Sequence, residues 1–342
     1  AVLIALVLIL MMLDLLGESG KILAVKGNGD ADLWRYVALR VPMLISRFLP
    51  FAVLLGTLIA FVGLNQNSEV VAMKAAGLSA HQILAPLMLA SLFIAVGLFA
   101  FNETVVVNSA RAVTAWSDND YRAVPPDSGV SGNVWVLHGD NLVRAGLVVG
   151  RAPNLRLEQV AIYRRSGGIV QQVVEAKRAV PQPGETGWRL EGVRIYDANM
   201  NMILRRPEMI ALEGVTPGQF TLARVNPTEL DYWTLRDRIE ELKAAGRPAD
   251  EARAGLAHKI SGPLSTLLMP LLAAIAAFGL ARSGQVLLRA VIGMALGFAY
   301  FVADNFSLAM GNAGAYPPFI AAWAPFVMFL LIGETVLVQT EE

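Results

Sequence analysis

The sequence contains no cysteine, which excludes disulfide scaffolds, thiolate nucleophiles and Cys-based metal sites. Any part outside the cytoplasm must therefore be held by its own core. Charge is also scarce: 16% of the 342 residues are Asp, Glu, Lys or Arg, against about a quarter in an ordinary soluble domain. The 28 basic and 28 acidic residues cancel, so no global field draws in an anionic polymer and no nucleic-acid partner is expected. What is abundant is apolar. Hydrophobic residues make up 55% of the chain and the mean hydropathy is +0.51, in long blocks separated by polar stretches. This excludes a disordered chain and an ordinary cytosolic enzyme.

A helix crossing a bilayer needs about 20 mostly apolar residues. Six blocks fit or approach that length: Ala1 to Leu16, Pro42 to Leu64, Gln82 to Val107, Ile260 to Ala281, Leu287 to Leu308 and Phe319 to Val338. They fall three and three. The first is short and reads as the end of a helix that starts before this sequence; a signal-peptide core would need a basic flank and a cleavage site, and has neither.

The polar stretch between the third and fourth blocks is roughly 150 residues, the size of a domain. Period-two runs at Asn133 to Leu137, Leu157 to Tyr163, Val170 to Ala176 and Trp188 to Ile195 predict strands, with turns at Gly139-Asp140-Asn141, Gly167-Gly168 and Pro181-Gln182-Pro183-Gly184. Trp188 and Leu190 alternate with Arg189 and Glu191, but past Gly192 the phase slips by one, which predicts a bulge. The pattern is that of an all-β sandwich or jelly roll. After it, Thr228 is placed to cap a helix carrying Leu230, Trp233, Ile239 and Leu242.

Catalytic constellations are scarce. No phosphate-binding Gly-x-x-x-x-Gly-Lys loop occurs, and His81, His138 and His258 lie in different segments without ligand spacing. Gly129-Val130-Ser131-Gly132 matches the short pattern of intramembrane serine proteases, but it lies in a polar stretch and reads as a turn. The remaining signal is charge where charge is costly. Asp14, Glu103, Asp304 and Glu334 fall in or at the ends of apolar blocks, where a carboxylate must meet a partner, a cavity or the interface. Asp14 and Asp304 are the stronger intramembrane polar candidates, for a protein–protein or pathway role. Gly293-Met294-Ala295-Leu296-Gly297 offers a small face for a neighbouring helix.

Between the second and third blocks, Asn67 to Ser79 reads as a short amphipathic helix. Ser68 is a candidate cap, Gly77 a terminator, and Val70, Val71 and Lys74 share neighbouring faces. Such a helix can dock into a motor protein or lie on the lipid surface. Orientation from charge points weakly inward for the β-domain: Lys21, Lys26, Arg35 and Arg40 in the first loop outnumber Lys74, Arg282 and Arg289 on the other side.

The segments Phe48-Leu49-Pro50, Leu54-Leu55-Gly56 and Ser68-Glu69-Val70-Val71-Ala72-Met73-Lys74-Ala75-Ala76-Gly77 resemble the lipopolysaccharide export permeases of Gram-negative bacteria, the LptF/LptG (YjgP/YjgQ) family, on its LptG side. His258-Lys259-Ile260, Pro263-Leu264-Ser265, and Gly297-Phe298 with Asp304 are similar to the same family, which often has Glu-x-x-x-Pro where Glu103 is here followed by Val107. The resemblance implies six transmembrane helices, 3+3, with an inserted periplasmic jelly-roll-like domain, in the bacterial inner membrane. It implies domains over 1–107 (coupling helix at about 67–79), 108–255 and 256–342. It further implies a subunit without catalysis or cofactor of its own, working beside an LptF-type sister. A separate dimeric LptB-type ATPase would hold ATP and Mg, and LptC- and LptA-type bridge proteins would receive the lipid. Lipopolysaccharide would enter a cavity between the paired subunits from the outer leaflet and be driven up into the β-domains. On this reading Glu69, with Ser68 and Lys74, couples to the ATPase, and Lys21 and Lys26 are candidates to face lipid phosphates. A Lys–phosphate contact is charge-assisted and gains where water is partly excluded. The resemblance thus sets the β-domain opposite to where the charge count puts it.

Overall fold

The computed structural model describes residues 2–124, 131–150, 155–182, 187–223, 225–278 and 286–339. Arg282, Gly129 and Val130 lie outside the described residues. In chain order come α1 (Val2–Leu23), α2 (Asp30–Gln66), α3 (Glu69–Ala75) and α4 (Ala80–Phe101). A π turn, Asn102–Val106, then joins α4 to α5 (Val107–Asp118) in one unbroken rod. Six strands follow: β1 (Ser131–His138), β2 (Asn141–Val149), β3 (Arg156–Ser166), β4 (Ile169–Pro181), β5 (Trp188–Asp197) and β6 (Met202–Ala211). The chain closes with α6 (Pro217–Thr221), α7 (Tyr232–Ala244), α8 (Asp250–Phe278), α9 (Val286–Asn312) and α10 (Pro318–Gln339).

Among the described residues, five helical stretches are long and apolar enough to cross a membrane: Val2–Leu23, Asp30–Gln66, Ala80–Asp118, Val291–Asn312 and Pro318–Gln339. The remaining expected span lies in α8, a 29-residue helix whose second half carries no charged residue. Helices outrun the apolar blocks because their polar first turns suit the helix dipole. Asp30 and Asp32 open α2, and Asp250 and Glu251 open α8. Pro42 therefore sits inside α2 rather than at its start, and residues 24–29 alone connect it to α1. Arg35 and Arg40 lie within α2, as Lys21 lies within α1, so the expected first loop shortens to a few residues while the basic residues flanking it stay the same.

The chain divides into two compact units. One comprises Ala1–Asp14, Arg40–Asn108 and Pro227–Glu342. Its core gathers Leu54, Leu58 and Phe61 of α2, Val70 of α3, Ile83 and Leu84 of α4, Leu268 to Ala274 of α8, Tyr300 of α9 and Phe326 and Phe329 of α10. Glycines let these helices touch. A Cβ at Gly297 would lie 2.1 Å from Leu54 Cδ2, at Gly311 2.2 Å from Ala321 Cβ, and at Gly333 2.4 Å from Leu271 Cδ2. Gly297, expected from its spacing to face a neighbouring helix, packs on this chain's own α2.

The other unit comprises Leu15–Leu39 and Ser109–Asn226. Its sheet is one antiparallel meander in the order β1-β2-β3-β4-β5-β6, so the inserted all-β domain is present and its strands follow one another by successive hairpins. The β3–β4 hairpin turns through Gly167-Gly168, with φ of 60° and 81°, as the glycine pair requires. Ser131 and Gly132 belong to β1, so the Gly-x-Ser-Gly match continues into a strand rather than ending in a turn. Pro207 is tolerated in β6 because that strand is an edge.

The slip at Gly192 is real, and it is not confined to β5. By register, Asn133, Gly146, Gln159, Lys177, Gly192 and Pro207 form one row across all six strands. Asn133, Gln159 and Gly192, on alternate strands, have φ of 47°, 55° and 68°. Core-facing residues on β2 to β5 are spaced three rather than two across this row: Ala145 and Val148, Leu157 and Val160, Ala176 and Ala179, Leu190 and Val193. Because neighbouring strands slip together, pairing resumes in the same register beyond the row. The sequence-predicted bulge is thus a crease through the whole sheet. The paired register shift in β5 lies elsewhere, at Ile195/Tyr196.

α7 begins later than expected. Thr228 lies in a 3-10 turn, Pro227–Glu229, and the cap is Asp231, whose carboxylate accepts the Thr234 amide at 2.9 Å and hydroxyl at 2.7 Å. Leu235, Ile239 and Leu242 are buried, whereas Trp233 is 67% exposed.

Candidate functional site

The hairpin between α2 and α4 is built from local signals. Ser68 precedes α3 but has φ 57° and makes no side-chain cap bond, so it is not the cap its residue type suggests. A capping side chain needs extended backbone, and the left-handed turn withdraws it. Gly77, at φ 89°, ends α3 in a Schellman arrangement, with the Gly77 amide donating to Lys74 O at 3.0 Å and the Leu78 amide to Met73 O at 3.1 Å. Ser79 then makes the capping box missed in the sequence, accepting from the Gln82 amide at 3.2 Å while its own amide donates to Gln82 Oε1 at 2.9 Å. Val70 is buried in the helical core, while Val71, Glu69 and Lys74 are exposed. Val70 therefore anchors the short helix and leaves an outward face with one carboxylate and one ammonium.

The carboxylates in and at the ends of the apolar helices are paired. Asp14 accepts two bonds from the Arg40 guanidinium, at 2.9 and 3.2 Å. Asp304 on α9 lies 3.0 Å from His258 Nε2 on α8. The next residue, Lys259, donates to Glu103 at 2.7 Å, and these two side chains are only 11% and 15% exposed. Glu103 also accepts the backbone amide of Tyr232, the first residue of α7. Its helical turn is a π turn, and beside it Thr104 Oγ1 donates to Ala100 O and Asn108 Nδ2 to Thr104 O, each at 2.7 Å. Such turns are frequently found at functional positions. Asn102 in the same turn accepts from Ser46 Oγ at 2.5 Å. Glu334, near the end of α10, meets His81 at 3.1 Å.

In the β-bearing unit, Lys21 ends α1 with its ammonium 2.8 Å from Glu18 and its side chain 66% exposed. Glu18 also accepts the Tyr121 hydroxyl at 2.7 Å. Lys26 is exposed in the short linker after α1. Arg35, to which sequence reasoning gave no role, lies over the Trp116 ring at 4.8 Å, and Trp116 meets Tyr121 edge-on. No signal in a single sequence pairs residues so far apart.

The architecture is that of a multi-span helical membrane protein with a β-domain inserted between two sets of three helices. The family model described as "Lipopolysaccharide export system permease LptF/LptG" matches residues 1–339, and the chain belongs to that family. It is 27% identical over 340 residues to the Lipopolysaccharide export system permease protein LptG of Escherichia coli (strain K12), covering 97% of this chain and 91% of that one. The protein of the same name in Haemophilus influenzae is 25% identical over 317 residues, covering 90% and 86%.

Proposed function

We propose that this chain is the membrane subunit of an ATP-driven exporter that takes lipopolysaccharide from the bacterial inner membrane and passes it towards the outer membrane. The observation that carries this reading is the family match from one end of the chain to the other. The β-domain lies in the periplasm. Family membership supports this placement, against the count of Lys21, Lys26, Arg35 and Arg40 over Lys74, Arg282 and Arg289. A sister LptF-type permease pairs with this chain around the lipid. An LptB-type ATPase dimer binds ATP and Mg and docks on the α2–α4 hairpin through Glu69, flanked by Ser68 and Lys74. LptC- and LptA-type proteins continue the path beyond the β-domain, and Lys21 and Lys26 meet lipid phosphates. The exposure of Glu69 and Lys74 on a helix anchored by Val70 supports the docking role.

The test is ATP hydrolysis and lipid release by the reconstituted complex, wild type against Glu69→Ala at equal assembly. Both activities fall together if the hairpin couples motor to cavity. An assembled Glu69→Ala complex with wild-type activity removes the coupling role. If no ATPase associates with the wild type, the chain is instead a membrane-anchored β-domain that binds or assembles without transport.

A further inference from the structure

The chain passes between its two units four times: from Asp14 to Leu15 in α1, from Leu39 to Arg40 in α2, from Asn108 to Ser109 in α5, and from Asn226 to Pro227 ahead of α7. Within the helical unit, these passages are tied in pairs. Asp14 is the last residue before the first passage and Arg40 the first after the second, and they share the two-bond ion pair at 2.9 and 3.2 Å. Glu103 stands just ahead of the third passage and Tyr232 just behind the fourth. One carboxylate holds the Tyr232 amide and the Lys259 ammonium together.

The chemistry of both ties favours fixed separation. An arginine–carboxylate fork constrains angle as well as distance. A charge pair largely withdrawn from water resists opening, because each partner would be left uncompensated. The Glu103 tie is set in a π turn, the one departure from α geometry along its 39-residue rod. Neither tie contributes to the exposed face of the hairpin or to the Lys21 end of α1.

We propose that Asp14–Arg40 and Glu103–Lys259, the latter with the Tyr232 amide, are positioning residues for the transport step. They make the four passages move as two tied pairs, so that displacement of the membrane helices reaches the β-domain instead of being absorbed segment by segment. This rests on the transport reading above.

The absence of cysteine allows two to be introduced without background. Ser166→Cys, at the exposed β3–β4 turn, and Ala76→Cys, exposed after α3, carry spin labels on the full chain assembled with its partner subunits in nanodiscs. The width of the distance distribution is compared among wild type, Arg40→Gln, Glu103→Gln and the exchange Asp14→Arg/Arg40→Asp. The same samples give the thermal midpoint and the lipid released per ATP hydrolysed. Each single variant is expected to broaden the distribution about twofold and the exchange to restore it, as for a lost and regained charge pair. Lipid released per ATP falls about tenfold in the single variants while hydrolysis holds, at a temperature well below the lowered thermal midpoint of each variant, so that unfolding does not account for the loss. Wild-type width in both single variants, a width the exchange does not restore, or an unchanged lipid-to-ATP ratio overturns the proposal. If the wild type binds no ATPase, the transport reading fails, and the label widths still decide whether the ties hold the passages.

Discussion

Trp188 donates its indole N–H to the carbonyl of Val215 at 2.7 Å, and its ring meets Phe220 edge-on at 5.4 Å. One residue of β5 thereby fastens the chain that leaves β6 to the core of the sheet. Trp188→Phe keeps an aromatic ring but leaves a buried carbonyl without its donor, which costs about 1–3 kcal/mol. Calorimetric unfolding of the purified protein should show a lower midpoint. An unchanged midpoint would mean that the fastening is not what holds this segment.

The helix contacts at glycine predict opposite signs at different positions. Gly297→Ala and Gly333→Ala each drive a methyl into a buried leucine, Leu54 or Leu271, and should destabilise by about 1–3 kcal/mol. Gly63→Ala, in α2 with nothing within 4 Å of its added Cβ, should instead stabilise by about 0.5–1 kcal/mol. Midpoints shifting in one direction for all three would contradict the packing described.

In the α2–α4 hairpin, Val70→Ala removes the anchor of α3 and Gly77→Ala strains its left-handed terminus by about 1–2 kcal/mol. Both should speed amide hydrogen exchange over Glu69–Ala75, whereas Val71→Ala, on the exposed side, should not. Equal exchange in all three variants would show that α3 is held by something other than Val70.

Two turn carboxylates should give the folded state a dependence on acid. Hydrogen bonds from the Asn201 amide and side chain, and from the Asn199 amide, hold the Asp197 carboxyl below its ordinary value. Burial works to raise Asp231, but the Thr234 amide and hydroxyl prevail and lower it. Both groups therefore stabilise the fold fully above the unfolded carboxylate value of about 3.9 and lose that contribution as pH falls through their lower folded values. Asp231→Asn retains capping geometry without a titrating charge. The midpoint-against-pH curve should flatten below about pH 4 in Asp231→Asn, while Asp231→Ala loses about 1 kcal/mol at neutral pH.

The long apolar helices and the strands with strict alternation were legible in the sequence because burial sets both periods. β6 was not: Pro207 and a nearly uniform exposed pattern erase the alternation at an edge strand. β2 was obscured because residues on both sides of it are buried from Ala145 to Val149. Helix starts were misplaced where a polar first turn precedes the apolar run, as at Asp30 and Asp250, and where proline lies inside a helix, as at Pro42. In the α2–α4 hairpin, Gly77 as the end of α3 could be read from local spacing, whereas Glu69 was singled out only by the family resemblance. The partners of Asp14, Glu103 and Asp304 could not, since each pair is brought together by tertiary structure.

The row from Asn133 to Pro207 has a consequence for how this sheet can change. Deleting one residue at the row in any one of β2 to β5 would turn the far half of that strand inside out, while its neighbours kept their facing. Point substitutions can be tried strand by strand, but the length of each strand through the row is shared property, alterable only in all of them at once.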